Sequence, residues 1–204
     1  ISGDGRYVGF NSVASDLVTG FVGNYDVFVH DRVLHTTEPV SVNMNNAQPN
    51  AGSGTGGISA DGRFFVFTSG ATDLVTTPTP GTFFHLFVRD RCVSNGQSVN
   101  SCTPHNELVS VDSDGRPAND EVWHFSLPAI SGDGNVVAWA SPATNLVATS
   151  NNGQVQTYVH DRTTHVTELA SITSDGLTAG LASSAGSKGI ALSFDGRYVA
   201  FVSG

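Results

Sequence analysis

One ten-residue phrase recurs along this chain and constrains what the chain can fold into. It reads Ile-Ser-Gly-Asp-Gly-Arg-Tyr-Val-Gly-Phe at 1–10 and returns with few changes at 58–67, 130–139 and 192–201. Such a repeat indicates that one supersecondary unit is copied along the chain and that neighbouring copies bury each other's apolar faces. We therefore predict a single domain with repeat units at 1–57, 58–129 and 130–191 and a partial unit at 192–204.

Two further motifs follow the phrase in each complete unit. The first is Asp-Val-Phe-Val-His-Asp-Arg at 26–32, with counterparts at 85–91 and 157–162, and the second is Glu-Pro-Val-Ser-Val at 38–42, with counterparts at 107–111 and 168–172. β-Branched and aromatic residues fill these runs without helical periodicity. We predict four strands per unit: one ending at Ile-Ser, one after the Asp-Gly turn, the Val-Phe-Val strand, and the Val-Ser-Val segment. The glycine-rich run at 52–57 is predicted to be a flexible connector.

Several of these strands are apolar at consecutive positions, as at 27–29 and 64–67. A sheet with one wet face would alternate polar and apolar residues, so these strands must be covered on both sides. Four-stranded units packed face to face around an axis make a β-propeller. A β-sandwich is the alternative, but it would not repeat one four-strand phrase. We predict an all-β propeller of four-stranded antiparallel blades, with three blades and the start of a fourth.

The motifs also resemble a known family. The series Ser-x-Asp-Gly-Arg-(Tyr/Phe)-Val-x-Phe, then Leu-Val, then Asp-Val-Phe-Val-x-Asp-Arg is similar to the TolB-like β-propeller repeat of bacterial extracytoplasmic proteins, and covers essentially the whole chain. The resemblance implies about six to eight blades per closed ring. It also implies either secreted or surface proteins without known activity, or propeller domains attached to peptidases or lyases. Three blades and one strand leave apolar faces open, so we expect a longer protein, or further copies of the chain, to complete the ring.

The charge balance excludes some partners. The formal net charge is −9, the one lysine is Lys188, and the arginines are scattered along the repeats. A nucleic-acid binder needs clustered basic residues, so we expect no nucleic-acid partner and no binding to an anionic membrane surface. No apolar run approaches the roughly 20 residues that span a bilayer, so membrane insertion is not expected either.

Cys92 and Cys102 are the chain's two cysteines. Their spacing does not suit zinc, which takes four closely spaced ligands, but it suits a disulfide across a hairpin loop. The alternative is a pair of buried thiols. A disulfide implies an oxidising compartment, so we predict a secreted or extracytoplasmic protein, at the cell surface or in the periplasm.

The most conspicuous polar residues recur once per unit, which indicates a structural role because one active site does not need three copies. We expect the recurrent Asp-Arg aspartate to accept backbone N–H bonds at a hairpin and its arginine to brace the neighbouring blade. The aspartate of the repeated phrase is predicted to form a turn with the following glycine. The hairpin residues are Asp31, Arg32, Asp90, Arg91, Asp161 and Arg162, and the turn residues are Asp4, Asp61, Asp133 and Asp195.

A weak calcium site is predicted in the first unit. A polar residue recurs before Leu-Val, as Asp16, Asp73 and Asn145. In the resembled family, the loop after this position carries Asp and Asn-Gly ahead of the third strand, which implies an oxygen-rich site suited to calcium. Here the ligand candidates are Asp16, Asn24 and Asp26. The pattern is degenerate in the second unit, where His85 replaces the last aspartate, and in the third, which has Gln156 and Thr157. We predict no other cofactor.

No catalytic residue is predicted. The chain has neither a Gly-x-Ser-x-Gly elbow nor a His-Glu-x-x-His motif, and its repeat-matched histidines are typical of hydrogen-bonded turns. Trp139 falls in a strand at a core position. Trp123 and His124, in the connector before the third phrase, are the candidate ligand contacts, because an exposed tryptophan can stack on a sugar.

We therefore expect a non-catalytic extracytoplasmic binding or scaffolding module that holds a protein or glycan partner through its blade loops. One alternative is a segment of a propeller enzyme, a polysaccharide lyase or hydrolase, whose catalytic groups lie in other blades. Another is a structural subunit of a surface assembly.

Overall fold

The chain folds into successive antiparallel β-sheets. The computed structural model describes residues 1–79, 83–123, 127–149, 153–174, 176 and 189–202, and all regular structure in them is β-strand, which confirms the predicted all-β class. The strands are β1 (Tyr7–Ser12), β2 (Asp26–Asp31), β3 (Thr36–Pro39), β4 (Ser53–Ile58), β5 (Phe64–Ser69), β6 (His85–Asp90), β7 (Val93–Ser94), β8 (Gln97–Ser98), β9 (His105–Leu108), β10 (Ala129–Ile130), β11 (Val136–Ser141), β12 (Gln156–Asp161), β13 (Val166–Leu169), β14 (Ala191–Leu192) and β15 (Val199–Ala200).

The sheets follow the repeat. The first sheet has the order β1-β2-β3, the second β4-β5-β6-β9, the third β10-β11-β12-β13 and the fourth β14-β15. An aromatic pair is stacked at the same register position in three of them, with centroid distances of 5.9 Å for Phe10 and Phe28, 5.7 Å for Phe67 and Phe87, and 6.0 Å for Trp139 and Tyr158. Equivalent pairs at equivalent positions show that the sheets are copies of one unit.

The first sheet has three strands rather than the predicted four. Ile1 and Ser2 hold the place of the missing strand, and the Ser2 N–H donates to the Tyr7 carbonyl at 2.9 Å. The same bond joins Ser59 to Phe64 in the second unit.

The second sheet buries both of its faces. Val66, Leu86 and Val88 pack in one apolar cluster with Trp139 and Tyr158 of the third sheet. The alternate residues on the same strands pack in another cluster with the first sheet; they are Phe65, Phe67 and Phe87 against Tyr7, Val27 and Val29. The consecutive apolar residues in these strands are therefore explained by sheets that cover each other face to face.

Neighbouring sheets also touch through the Asp-Gly turns of the repeated phrase. The Gly3 N–H donates to the Ala60 carbonyl at 2.9 Å, and the Ala60 N–H donates to the Gly132 carbonyl at 2.8 Å. The Asp133 N–H continues the series to the Phe194 carbonyl at 3.2 Å. These bonds hold the turns of consecutive units side by side.

The glycine-rich run at 52–57 is largely strand β4, so its prediction as a flexible connector was wrong. A Cβ on Gly56 would lie 2.6 Å from the Val66 carbonyl oxygen and 2.8 Å from Pro128 Cγ, and one on Gly57 would lie 3.2 Å from Ile130. The run is rich in glycine because β4 packs closely against its neighbours, which side chains would prevent.

The fourth strand of each unit ends before the Val-Ser-Val segment, which corrects the sequence-based placement. In the first sheet the β2–β3 pairing ends at Phe28 and Pro39, and the Ser41 hydroxyl then accepts the Val27 N–H at 2.9 Å. Ser110 and Ser171 do the same for Leu86 and Thr157, each at 3.0 Å. A side-chain acceptor thus replaces a backbone carbonyl where the ladder stops.

The predicted disulfide between Cys92 and Cys102 is present. It closes the insertion of the second unit, which carries the small hairpin β7-β8 between β6 and β9.

Candidate binding site

The recurrent hairpin aspartates are each engaged by backbone N–H groups. Asp31 accepts from Val33 and Leu34, Asp90 from Cys92, and Asp161 from Thr163 and Thr164, at 2.8–3.1 Å. Two of the aspartates also bind an arginine at the start of the preceding strand: Arg6 contacts both oxygens of Asp31, and Arg63 both oxygens of Asp90. In the third unit Asn135 stands where these arginines stand.

These contacts keep the hairpin carboxylates ionised. The Arg6 hydrogen bonds hold the pKa of Asp31 well below its usual range. Burial raises the pKa of Asp90, but the bonds from Arg63 and the Cys92 N–H outweigh it and the net pKa is lowered. A carboxylate held in this state is a poor general acid, and its acceptor positions are taken.

The second residue of each Asp-Arg pair reaches across to the preceding sheet in two of the three units. Arg91 binds Glu38 of the first unit at 2.7 Å, and Arg162 binds Glu107 of the second at 2.7 Å. Each also donates to a turn carbonyl of its own unit. Arg32 is exposed; it donates to the Gly5 carbonyl of its turn, and no ion pair to a preceding sheet is described for it.

The aspartates of the repeated phrase all form the same turn. In each, the serine two residues earlier donates its hydroxyl to the carboxylate at 2.5–2.7 Å, and the residue two positions later donates its N–H at 2.9–3.1 Å. The glycine that follows has a positive φ of 69–78° in all four turns, a conformation that residues with a side chain rarely adopt. The four aspartates are Asp4, Asp61, Asp133 and Asp195.

The calcium candidates differ in their surroundings. Asp26 is buried, and its carboxylate accepts from the Ser41 hydroxyl at 3.2 Å and from Gln48 Nε2 at 2.7 Å, while burial raises its pKa. Asp16 is exposed and Asn24 half-buried. Calcium binding at these residues stays a prediction.

The register places His85 and Gln156 in the position of Asp26. His85 Nδ1 lies 3.3 Å from the Ser110 hydroxyl, and the Ser171 hydroxyl donates to Gln156 Oε1 at 2.5 Å. The side chain at this position therefore varies between units while its serine partner does not.

Of the two candidate ligand contacts, His124 lies outside the described residues. Trp123 is half-buried, and its backbone N–H donates to the Ala140 carbonyl at 2.8 Å, which places the residue beside β11. Trp139, in contrast, is fully buried in the cluster between the second and third sheets.

A groove of about 750 Å³ lies beside strand β9. Thr76, Thr77, Thr103 and Pro104 line it. The first two belong to the sequence run Thr-Thr-Pro-Thr-Pro at 76–80 and the last two to the long connection between β6 and β9, and both segments depart from the pattern of the other units. Its other lining residues include amides and carboxylates such as Asn46, Asn106, Asp112 and Asp114. Leu74, Val75 and Leu108 line it as well, so the groove offers both polar and apolar groups, and it borders the outermost strand of the second sheet.

A second cavity, of about 380 Å³, is lined in part by glycines. Gly52 and Gly54 of the β4 segment line it together with the exposed side chains of Tyr25 and Leu127. This cavity is smaller and more apolar than the groove.

Glu107, His160 and His165 come together at the groove, across the boundary between the second and third sheets. One ligand atom of each lies within 4.8 Å of the others. Burial lowers the pKa of His160, so the imidazole is held neutral. The sequence shows that the two histidines and the glutamate each recur in their motifs, and this recurrence was the one available hint of the cluster. It does not show that the fold brings them close together. Asp90, Cys92 and Cys102 also lie close together, but both sulfurs belong to the disulfide.

In the described part of the chain, no helix is long and apolar enough to cross a membrane.

No family model and no curated protein matches the chain. Among solved structures it is similar to TolB from Acinetobacter baumannii (12% identity, 97% of this chain and 36% of that chain, TM-score 0.48) and to a putative TolB from Agrobacterium tumefaciens (16%, 98% and 56%, TM-score 0.46). It is also similar to an oligogalacturonate lyase from Vibrio parahaemolyticus (13%, 82% and 37%, TM-score 0.42). The chain thus spans less than two thirds of each of these proteins.

Proposed function

We propose that this chain is an arc of a TolB-like β-propeller and that it serves as a non-catalytic binding or scaffolding module. Three features support the propeller arrangement: successive sheets have the same strand order, they cover each other face to face, and their Asp-Gly turns are hydrogen-bonded from one unit to the next. Sheets joined in this way at their first strands can fan out around an axis.

The groove beside β9 is the observation that supports the proposed binding role. In repeat proteins, departures from the repeat map to loops on one face, which is often the binding face. Here both departures of the second unit, around Thr76 and around Thr103, border the same groove. The groove also borders the outermost strand, β9, an edge that can pair with an extended peptide. We therefore propose a protein partner that presents an extended segment.

The polar residues that recur in the repeat support a non-catalytic role. The carboxylate oxygens of the hairpin and turn aspartates accept hydrogen bonds from backbone N–H groups, arginines and serines. Such residues build the unit and leave no acid–base pair among themselves.

An extracytoplasmic location is part of the proposal. The Cys92–Cys102 disulfide supports it, because disulfides form and persist in oxidising compartments.

We also propose that further blades, or further copies of the chain, cover the last sheet. Phe194 and Tyr198 are 68% and 64% exposed there, whereas Tyr7, at the position of Tyr198 in the first unit, is 1% exposed beneath the second sheet. Sedimentation of the isolated chain tests this proposal. Self-association is expected if copies complete the structure. A compact monomer that does not bind a dye specific for exposed apolar surface would contradict the proposal.

The binding role is tested by peptide display. A random-peptide library is selected on the wild-type chain and on a variant with Thr77→Arg and Thr103→Arg, which fills the groove with two exposed guanidinium groups. The control carries Ser15→Arg and Thr19→Arg, with the same added charge at exposed positions outside the groove. Peptides that bind the wild type and the control but not the groove variant support the proposal. Equal binding by all three, or turnover of polygalacturonate by the wild type, contradicts it.

A further inference from the structure

The cluster of Glu107, His160 and His165 has the composition of a transition-metal site. Two imidazoles and one carboxylate are a ligand set that zinc takes in proteins, with a water in the fourth position. One ligand atom of each residue lies within 4.8 Å of the others. We propose that these three side chains bind a divalent first-row metal ion of the zinc type at the boundary between the second and third sheets.

The tautomer of His160 is fixed by its neighbours. The Thr167 hydroxyl lies 2.6 Å from the Val111 carbonyl, which can only accept, so the hydroxyl donates its proton there. His160 Nδ1, 2.8 Å from the same hydroxyl, must therefore donate to it. In the neutral ring Nε2 then carries the lone pair, and a ligating histidine is normally oriented by such a bond from its other nitrogen.

Glu107 is also oriented. Arg162 donates from Nε and Nη2, and both contacts fall on Oε2, at 2.8 Å and 2.7 Å. Oε1 is the oxygen left for a metal. Because the guanidinium already neutralises part of the glutamate charge, we expect moderate rather than very tight metal binding.

The neighbouring boundary offers a comparison within the chain. Arg89 takes the register position of His160, opposite Asn106 as His160 is opposite Thr167. Its guanidinium donates to Asn46 and Asn106, and the charge of Glu38, the counterpart of Glu107, acts on it without a direct bond among the contacts described. Both boundaries pair the glutamate of the preceding sheet with the arginine of the Asp-Arg motif. The third unit has two imidazoles near this glutamate where the second unit has the Arg89 guanidinium, and imidazoles can hold a metal cation.

The site is accessible. His165 is exposed at a turn, with a φ of 59°, and all three side chains line the 750 Å³ groove. A hydrated ion can therefore reach the cluster, and a water can complete its coordination.

The test is calorimetric titration of tag-free, EDTA-treated chain with Zn²⁺ alone, repeated with Co²⁺ to record the visible absorption of the bound ion. We expect one Zn²⁺ per wild-type chain. The His165→Asn variant should raise the Kd by about tenfold or more, because it removes one direct ligand. Asparagine is chosen because it tolerates positive φ.

His35→Asn is the matched control. His35 has the same repeat position as His165 and a φ of 54°, so the substitution has the same backbone consequence outside the cluster. Unchanged zinc binding in His35→Asn with weakened binding in His165→Asn supports the site. Absence of binding to the wild type, or equal binding by the two variants, overturns it. Glu107→Gln, checked for folding by its metal-free melting curve, should weaken binding as well, and an unchanged Kd there would also overturn the site.

Discussion

Arg162 stacks on Phe64, with its guanidinium carbon 4.5 Å from the ring centroid, although the two residues belong to neighbouring sheets. The pair Arg91 and Tyr7 repeats this contact at 4.5 Å between the second and first sheets. Each arginine also binds a glutamate of the sheet on which it stacks. The boundary between sheets therefore combines apolar packing with one arginine that makes a cation–π contact, an ion pair and a turn hydrogen bond.

Arg162→Met should destabilise the chain by about 1–3 kcal/mol, because it removes a charge-assisted bond to Glu107 and a cation–π contact in a partly buried site. The measurement is the free energy of unfolding from urea titration. Arg32→Met is the control, since Arg32 is exposed and bonds the Gly5 carbonyl of its own unit. We expect the control to stay within about 0.5 kcal/mol of the wild type. Equal losses in both variants would show that the cross-sheet contacts contribute nothing.

The sequence predicts the unit better than it predicts how the units meet. The all-β class and the disulfide follow from periodicity and spacing, which are local properties. The Arg162–Glu107 contact does not, because two recurrent charged residues give no distance between sheets. The glycines of β4 misled for a similar reason. Local composition there is typical of a flexible linker, and only the close approach of Val66 and Pro128 explains why glycine is required in a strand.

Gly56→Ala should destabilise the chain, because its new Cβ would meet the Val66 carbonyl oxygen and the Pro128 ring. We expect a loss of about 1–3 kcal/mol in the free energy of unfolding, as for other overpacked sites. Gly70→Ala is the control. Its Cβ would meet nothing nearer than Ala51 Cβ at 3.9 Å, so we expect no loss or a small gain. If Gly56→Ala were as stable as Gly70→Ala, the close packing of β4 would be refuted.

Asp31→Asn should lower stability most at neutral pH. The Arg6 bonds lower the pKa of Asp31 in the folded chain below its unfolded value of about 3.9. The stabilisation is therefore fully present above that value and is lost as the pH falls towards the folded pKa. The difference in unfolding free energy between wild type and variant should thus narrow from about pH 7 to about pH 3. A difference that stays constant over this pH range would contradict the assignment.

Reduction of the disulfide should destabilise the second unit. The bond joins residues 10 positions apart, and closing so short a loop stabilises by roughly 2–3 kcal/mol in the chain-entropy model. Unfolding free energies of the wild type with and without a reductant give the value. The Cys92→Ser and Cys102→Ser double variant should match the reduced wild type and be insensitive to reductant. Because Asp90 still accepts the residue-92 N–H and binds Arg63, we expect the β5–β6 hairpin to survive reduction, with hydrogen-exchange protection lost first at β7-β8. Loss of protection throughout the second sheet on reduction would show instead that the disulfide holds the whole unit together.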